Sequence, residues 1–466
     1  MNTSTELQNL AEQDTQLEKV DTLQSFNDKQ RTTLKRIAVI SYLVAYVYIV
    51  IMGSPNPSFL FLLSLALIAV VELVSHCLGL PFSAIREKDS HLETWTFMLT
   101  TLAQALALSI WGYHYQLGFL QFLGVHACFI LYVIARNGLF TQEKLGILFW
   151  VDILRYTFVV PFKNFFLRER VLHYHSSEDT STQGKQDAHK NKIKSLALIA
   201  ITLVVTFYLI GFAWSQLTQV SDKFAELTGT FHAQLFEWIA SYFNSYNTEQ
   251  FITQLILSIP VGMWLFGLIA GSLVTHKPQN TYEKFQAQLN PFRVFPQITA
   301  YIVIGGLCFI YGLFFVIAMS EMGSLLSINQ QAAKISPQEA SNVAVSGFWQ
   351  LVKVSLMNFG VLAAFYVFAD KPLWDTKGTR NALTLLFIFA TLFALLAGWK
   401  LFGIYMYLYG PTPLRLLSGW FILVLLVWCI LTLIRLYKPI HTIRFGVLYA
   451  TISFTILCYA YAYFIQ

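Results

Sequence analysis

The chain has 466 residues, of which 56% are hydrophobic and only 12% charged, about half the charged share of ordinary soluble domains. So few charges cannot cover the surface of a soluble fold of this length, whereas a lipid bilayer tolerates such a composition. The formal net charge of +6 does not mark a nucleic-acid partner, because the basic residues follow the pattern of membrane topology.

From the start, residues 1–35 are polar and mix acids and amides with Leu7, Leu10, Leu17, Val20 and Leu23. They are read as a weakly ordered cytoplasmic tail. The apolar run begins only near Arg36, so the first span is expected to remain as an anchor and not to be cleaved as a signal. Eleven runs approach the roughly 20 residues that a helical span needs. They lie at 36–52, 58–80, 92–112, 117–135, 195–217, 251–274, 298–320, 344–368, 382–405, 416–434 and 445–465. The predicted fold is an all-α polytopic membrane helix bundle. Spans one to four fall in 36–136, a cytoplasmic region in 137–194, and spans five to eleven in 195–466.

The connections alternate in basic charge. Of the 31 Lys and Arg residues, 26 fall on one side of this scheme, three on the other (Lys223, Lys334, Arg415) and two within spans (Lys353, Lys400). The positive-inside rule makes the rich side cytoplasmic. The N-terminus is then inside and the C-terminus outside.

Three segments do not read as spans. The first is the N-terminal tail. The second, 145–172, is a short apolar run interrupted by Asp152 and Arg155, which lie three apart and would face each other on one helix surface. Its stretch 146–161 spans, dips in or lies on the bilayer; the interfacial reading is favoured, with Pro161 breaking the helix. Asn164–Leu172 is expected to follow as an interfacial helix, with its Phe residues toward lipid and Arg168 and Arg170 toward headgroups. A flexible basic loop, 176–194, comes next. The third segment, 215–250, carries Phe224, Leu227, Phe231, Leu235, Ile239 and Phe243 at helical spacing. It is read as an amphipathic external segment over the outer leaflet or across the bundle mouth.

The five cysteines all fall inside apolar spans and are read as small packing residues. No phosphate-binding loop, zinc-protease, nucleophile-elbow or dinucleotide signature occurs, so neither an enzyme activity nor a cofactor or metal is indicated. The chemistry must then be sought at ionisable residues inside spans, where each is expensive. Glu72 lies mid-span with His76 one helical turn later and His126 as a possible partner. This is a candidate polar site for proton or ion handling, or a packing pair. Gln104 and Asn358 are expected to bond between helices. Gly267 and Gly271 form a GxxxG for close packing, and Gly305 and Gly306 are read the same way. Near the end, Lys400, Tyr405, Tyr409 and Arg415 form a candidate contact for an anion or lipid at the outer leaflet. Gly410 and Pro411 stop the helix there, Thr412 caps the next and Pro413 opens it.

In this string, Tyr405, Tyr409-Gly410-Pro411-Thr412 and Leu414-Arg415 resemble a motif of a bacterial family of polytopic membrane proteins, domain-of-unknown-function family four-one-seven-three. Its members carry a Tyr, then Tyr-Gly-Leu-Thr a turn later, then Leu-Arg. Here Pro411 replaces the leucine. Gly347-Phe348-Trp349-Gln350-Leu351 is similar to the family's entry to an earlier helix, without the arginine that usually precedes it. Val220–Phe224 is similar to an external Ala-Asp-x-x-Phe segment. The resemblance covers roughly 195–466. It implies a bacterial cytoplasmic membrane protein without an established activity, and it brings no catalytic residues. The expected function is a non-enzymatic component of signalling, envelope maintenance or stress response, whose partners are the bilayer and a second membrane protein. An ion- or proton-coupled transporter using Glu72 and His76, and a lipid-handling protein at the outer leaflet, are the alternatives.

Overall fold

The structure, a computed structural model, describes residues 27–53, 57–77, 79–86, 88–173, 246–274, 281–328 and 337–465. Residues 1–26 of the expected tail, the span at 195–217, the loop at 176–194 and the external segment up to residue 245 lie outside the described residues; 28–35, expected to belong to the tail, instead form the first turns of a helix.

The architecture is all-α, and among the described residues nine helices are long and apolar enough to cross a membrane. Each coincides with one of the runs read from the sequence. A tenth run, 92–112, forms the helix His91–Trp111, which is less apolar because it carries Glu93, Gln104 and several threonines. In chain order the helices used below are α1 (Asp28–Met52), α2 (Leu60–Cys77), α3 (His91–Trp111), α4 (Gly118–Asn137), α5 (Phe149–Leu154), α6 (Val160–Lys163) and α7 (Leu167–Leu172). They continue with α8 (Tyr246–Val274), α9 (Thr281–Leu289), α10 (Gln297–Ile328), α11 (Pro337–Phe368), α12 (Lys377–Gly398), α13 (Pro413–Arg435) and α14 (Thr442–Ile465).

Local sequence sets several of the ends. Asn27 opens α1 with a capping box: its side chain accepts from the Gln30 amide at 2.8 Å while the Gln30 side chain accepts from the Asn27 amide at 3.0 Å. Two donors that the first turn would leave unpaired are thereby satisfied. Helix α4 ends at Gly138 in the left-handed conformation, φ 69°, which glycine adopts without a side-chain penalty.

The chain divides into two compact units. In the larger one, which among the described residues takes in 57–159 and 272–465, α3 packs on α2, α4 and α14, and α12 packs on α10, α11 and α13. One core cluster gathers Ile304, Leu351, Phe365, Leu386, Phe393 and Ile422 around the face of α12. Polar bonds add specificity between spans, as expected for Gln104 and Asn358. The Gln104 amide donates to Thr455 of α14 at 2.9 Å, and Tyr311 of α10 donates to Asn358 of α11 at 2.8 Å. All five cysteines are free; four are buried and Cys77 is half-buried.

Among the described residues the other unit holds 27–53, 160–173 and 246–271. Helix α1 packs on α7. A Cβ on Gly267 would stand 2.7 Å from the Pro161 carbonyl oxygen, and one on Gly271 would stand 2.7 Å from the Asn164 Cβ. The GxxxG of α8 thus receives α6 and the turn after it. Gly305 and Gly306 behave differently. A Cβ there would meet nothing within 4 Å, so the expectation that they too mediate close packing is corrected.

The segment read as a helix broken at Pro161 and then a second helix at 164–172 comprises α5, a π-helical turn at Arg155–Val159, α6, which contains Pro161, and, after a turn at 164–166, α7. Pro161 lacks the amide hydrogen that an α-helix needs at that point. The wide turn lies just before it. Within α7 the expected orientation is also corrected. Arg168 is fully buried, and its guanidinium stacks 3.6 Å from the centre of the Tyr42 ring on α1. Phe165 is buried as well, while Arg170 is exposed. The apolar faces of Leu167 and Val171 turn inward and carry Arg168 with them.

Candidate functional site

The charged residue inside α2 is placed by an ion pair. Arg136, in the last turn of α4, presents its fork to Glu72: Nε donates to Oε1 and Nη2 to Oε2, both at 2.7 Å. This bidentate form is the strongest geometry available to such a pair. The Tyr132 hydroxyl, one turn earlier on α4, donates to Glu72 Oε1 at 2.6 Å. Arg136 Nη2 also donates to the Leu80 carbonyl at 2.9 Å. The Arg136 side chain is wholly buried and that of Glu72 is 21% exposed, so the pair sits where charge must be compensated.

Around it the same end of the unit is polar. Lys88 donates to the Arg136 carbonyl and Ser90 to that of Ala135, both at 2.9 Å. Burial, with Arg136 alongside, pushes the Lys88 ammonium down to about 8, and Glu72 offsets part of that. Ser75 donates to Asn137 at 3.0 Å, and the Asn137 amide donates to Ser272 at 3.3 Å. A second buried carboxylate, Glu93 of α3, accepts from Arg444 of α14 at 2.8 Å and from the Leu145 amide at 3.3 Å. Asp152 accepts from both the amide and the hydroxyl of Thr141.

The expected Glu72–His76 arrangement is therefore replaced. Among the described hydrogen bonds the Glu72 carboxylate takes Arg136 and Tyr132, and His76 is exposed in the last turn of α2. His126 bonds the Phe122 carbonyl of its own helix at 2.7 Å. Of the pair Asp152 and Arg155, the first turns to Thr141 and the second lies 5.9 Å from the Tyr156 ring centre. Arg136, Tyr132, Glu93 and Arg444 escaped the sequence reading because three of them fall at span ends, where a charge reads as part of a loop. The available signal was Glu72 itself, since an acid in hydrocarbon demands a cation.

The string near the end folds as a widened helix with a sharp stop. After Gly398 the helix widens into a π stretch, Trp399–Met406, then a turn at Tyr407–Tyr409, and it stops at Gly410 with φ 74°. Thr412 is extended and Pro413 opens α13; the Thr412 side chain makes no capping bond. Arg415 reaches back. Its Nη1 donates to the carbonyls of Tyr409 at 2.9 Å and Gly410 at 2.7 Å, satisfying acceptors that the ended helix leaves open. Its guanidinium lies 4.0 Å from the Tyr405 ring centre, and Tyr405 meets Tyr409 edge to face at 5.7 Å. Tyr405, Tyr409 and Arg415 thus form one cluster. Lys400 is half-buried at the start of the π stretch.

Comparison with protein families matches residues 95–465 to the family described as Domain of unknown function (DUF4153). The chain belongs to the DUF4153 family. The match begins well before residue 195, so it takes in α3 and α4, where no motif was read. It also corrects the family number to which the terminal string was compared. Comparison with curated proteins and with solved structures gives no match. For this DUF4153 member, the apolar helices among the described residues support a membrane protein, and the family assigns no role.

Proposed function

We propose that the protein is a non-enzymatic component of a bacterial cytoplasmic membrane that acts through a second membrane protein, in signalling, envelope maintenance or stress response. Its N-terminus faces the cytoplasm, in keeping with the distribution of basic residues. The observation that carries the reading is the bidentate Glu72–Arg136 pair. A proton or ion path needs a carboxylate that can release its partner, whereas a brace between helices needs one held by fixed donors. Glu93 and Arg444 brace α3 and α14 through a single charged hydrogen bond. The test has two arms. In proteoliposomes under a pH gradient, Glu72→Gln is expected to leave proton flux at the wild-type level; a flux lost in that variant would restore the transport reading. Crosslinking in native membranes is expected to recover a distinct membrane protein, and recovery of this chain alone would remove the partner.

The Arg415 cluster supports a second reading, lipid contact at the outer leaflet. Nη1 is spent on two carbonyls, while the fork's remaining donors suit a phosphate. Arg415→Gln is expected to cut co-purified anionic lipid several-fold. An unchanged lipid content would end this reading.

A further inference from the structure

A cleft lies where α11 ends, lined by Arg293, Leu362, Tyr366, Asp370, Leu373 and Trp374. Its walls are fixed by short backbone pairing. The Phe295 amide donates to the Phe368 carbonyl at 2.9 Å and the Asp370 amide to the Phe295 carbonyl at 3.0 Å. The segment bearing Arg293 is thereby stitched to the one bearing Asp370. Arg293 is held by neutral groups, with Nη1 donating to the Asn290 side chain at 3.1 Å and Nη2 to Gln286 at 2.6 Å. The Gln286 amide in turn donates to the Tyr366 hydroxyl at 2.6 Å. The Asp370 carboxylate accepts from the Lys371 amide at 2.7 Å and is otherwise exposed. Among the described residues neither Arg293 nor Asp370 is in an ion pair. The Tyr366 and Trp374 rings stand nearly parallel beside them, centres 6.5 Å apart.

The cleft therefore offers one cation and one anion that do not neutralise each other, together with two aromatic faces. A guanidinium with donors to spare recognises phosphate oxygens. A carboxylate beside aromatic faces recognises an ammonium, by charge and by attraction to the ring. The two halves call for a ligand that carries both signs in one short group. The position agrees: Phe368 is the last residue of a candidate span, Trp349–Phe368, so the cleft opens at the level of lipid headgroups.

We propose that this cleft binds a zwitterionic phosphate–ammonium group, as found in phosphoethanolamine, with Arg293 on the phosphate and Asp370, Tyr366 and Trp374 on the ammonium. The source is a membrane lipid or the soluble headgroup, and the test separates them. The full-length protein in detergent is exposed to phosphatidylethanolamine and phosphatidylglycerol of matched chains, and bound lipid is counted by native mass spectrometry. The wild type is expected to prefer phosphatidylethanolamine. Arg293→Gln is expected to weaken its binding about tenfold or more, the scale of one lost charged hydrogen bond, while Arg293→Lys retains part of it. Asp370→Asn is expected to keep phosphate binding and erase the preference between the lipids. Asp370 is exposed, so this variant tests the site without endangering the fold. Equal binding of both lipids by the wild type, or unchanged binding in both the Gln and Asn variants, would overturn the proposal. Displacement of the lipid by millimolar phosphoethanolamine assigns the soluble compound as an occupant; bound lipid that resists it assigns the membrane lipid. Either result keeps the chemistry.

Discussion

Glu72→Ala is expected to lower stability by about 3 kcal/mol, the low end of the cost of removing one partner from a buried ion pair. The low end applies because Arg136 lies one residue from the end of α4, where a long side chain can swing toward the interface. The loss has two parts. Arg136, wholly buried, keeps its charge and its bond to the Leu80 carbonyl but loses both carboxylate oxygens. Tyr132, also fully buried, loses the acceptor of its hydroxyl. A double change, Glu72→Leu with Arg136→Met, is expected to recover most of the stability, because an apolar pair of similar volume often replaces a buried ion pair at little cost. Reversible unfolding in mixed micelles measures both. A single variant as stable as the wild type would show that the pair is not a brace, and a double variant less stable than the single would show that the bond from Arg136 to the Leu80 carbonyl outweighs the ion pair.

Gly267→Leu is expected to destabilise the unit built on α1 and α8 by about 3 kcal/mol, the upper range for overpacking a close contact. The obstacle is backbone, not a flexible side chain: the added Cβ alone would stand 2.7 Å from the Pro161 carbonyl oxygen and 3.2 Å from its Cα. Gly305→Leu is the matched control. It sits in another apolar helix, faces open space and is expected to cost nothing measurable. Thermal unfolding of the two variants side by side gives the contrast. Equal midpoints would show that α8 does not receive α6 at this point.

The spans were legible because the bilayer imposes a length and an apolar composition that a sequence cannot disguise. The terminal cluster was legible for a different reason. Tyr405 and Tyr409 are one turn apart, and the Gly-Pro stop returns the chain at once, so Arg415 has little choice of neighbour. Glu72 was found and its partner was not, because Arg136 lies 64 positions away and its place at a span end reads as topology. Arg168 was misread for a related reason. Alternation in Leu167–Leu172 suggests a helix on a surface, and nothing local shows that Tyr42 offers a ring face to cover the charge. Gly267 and Gly305 are equally apolar in context, and only the arrival of a second helix distinguishes them. Pairing in three dimensions, unlike span length, has no one-dimensional signature here.

The π stretch at Trp399–Met406 makes residue count an angular variable. An α-helix turns about 100° per residue, and a wider turn accommodates its extra residue by bulging instead of advancing the helix. Winding the same residues as ordinary α-turns would swing Tyr405 and Tyr409 around the axis relative to Gly398. The length of this stretch works as a dial that aims the aromatic pair, and the guanidinium of Arg415 sits where that dial points.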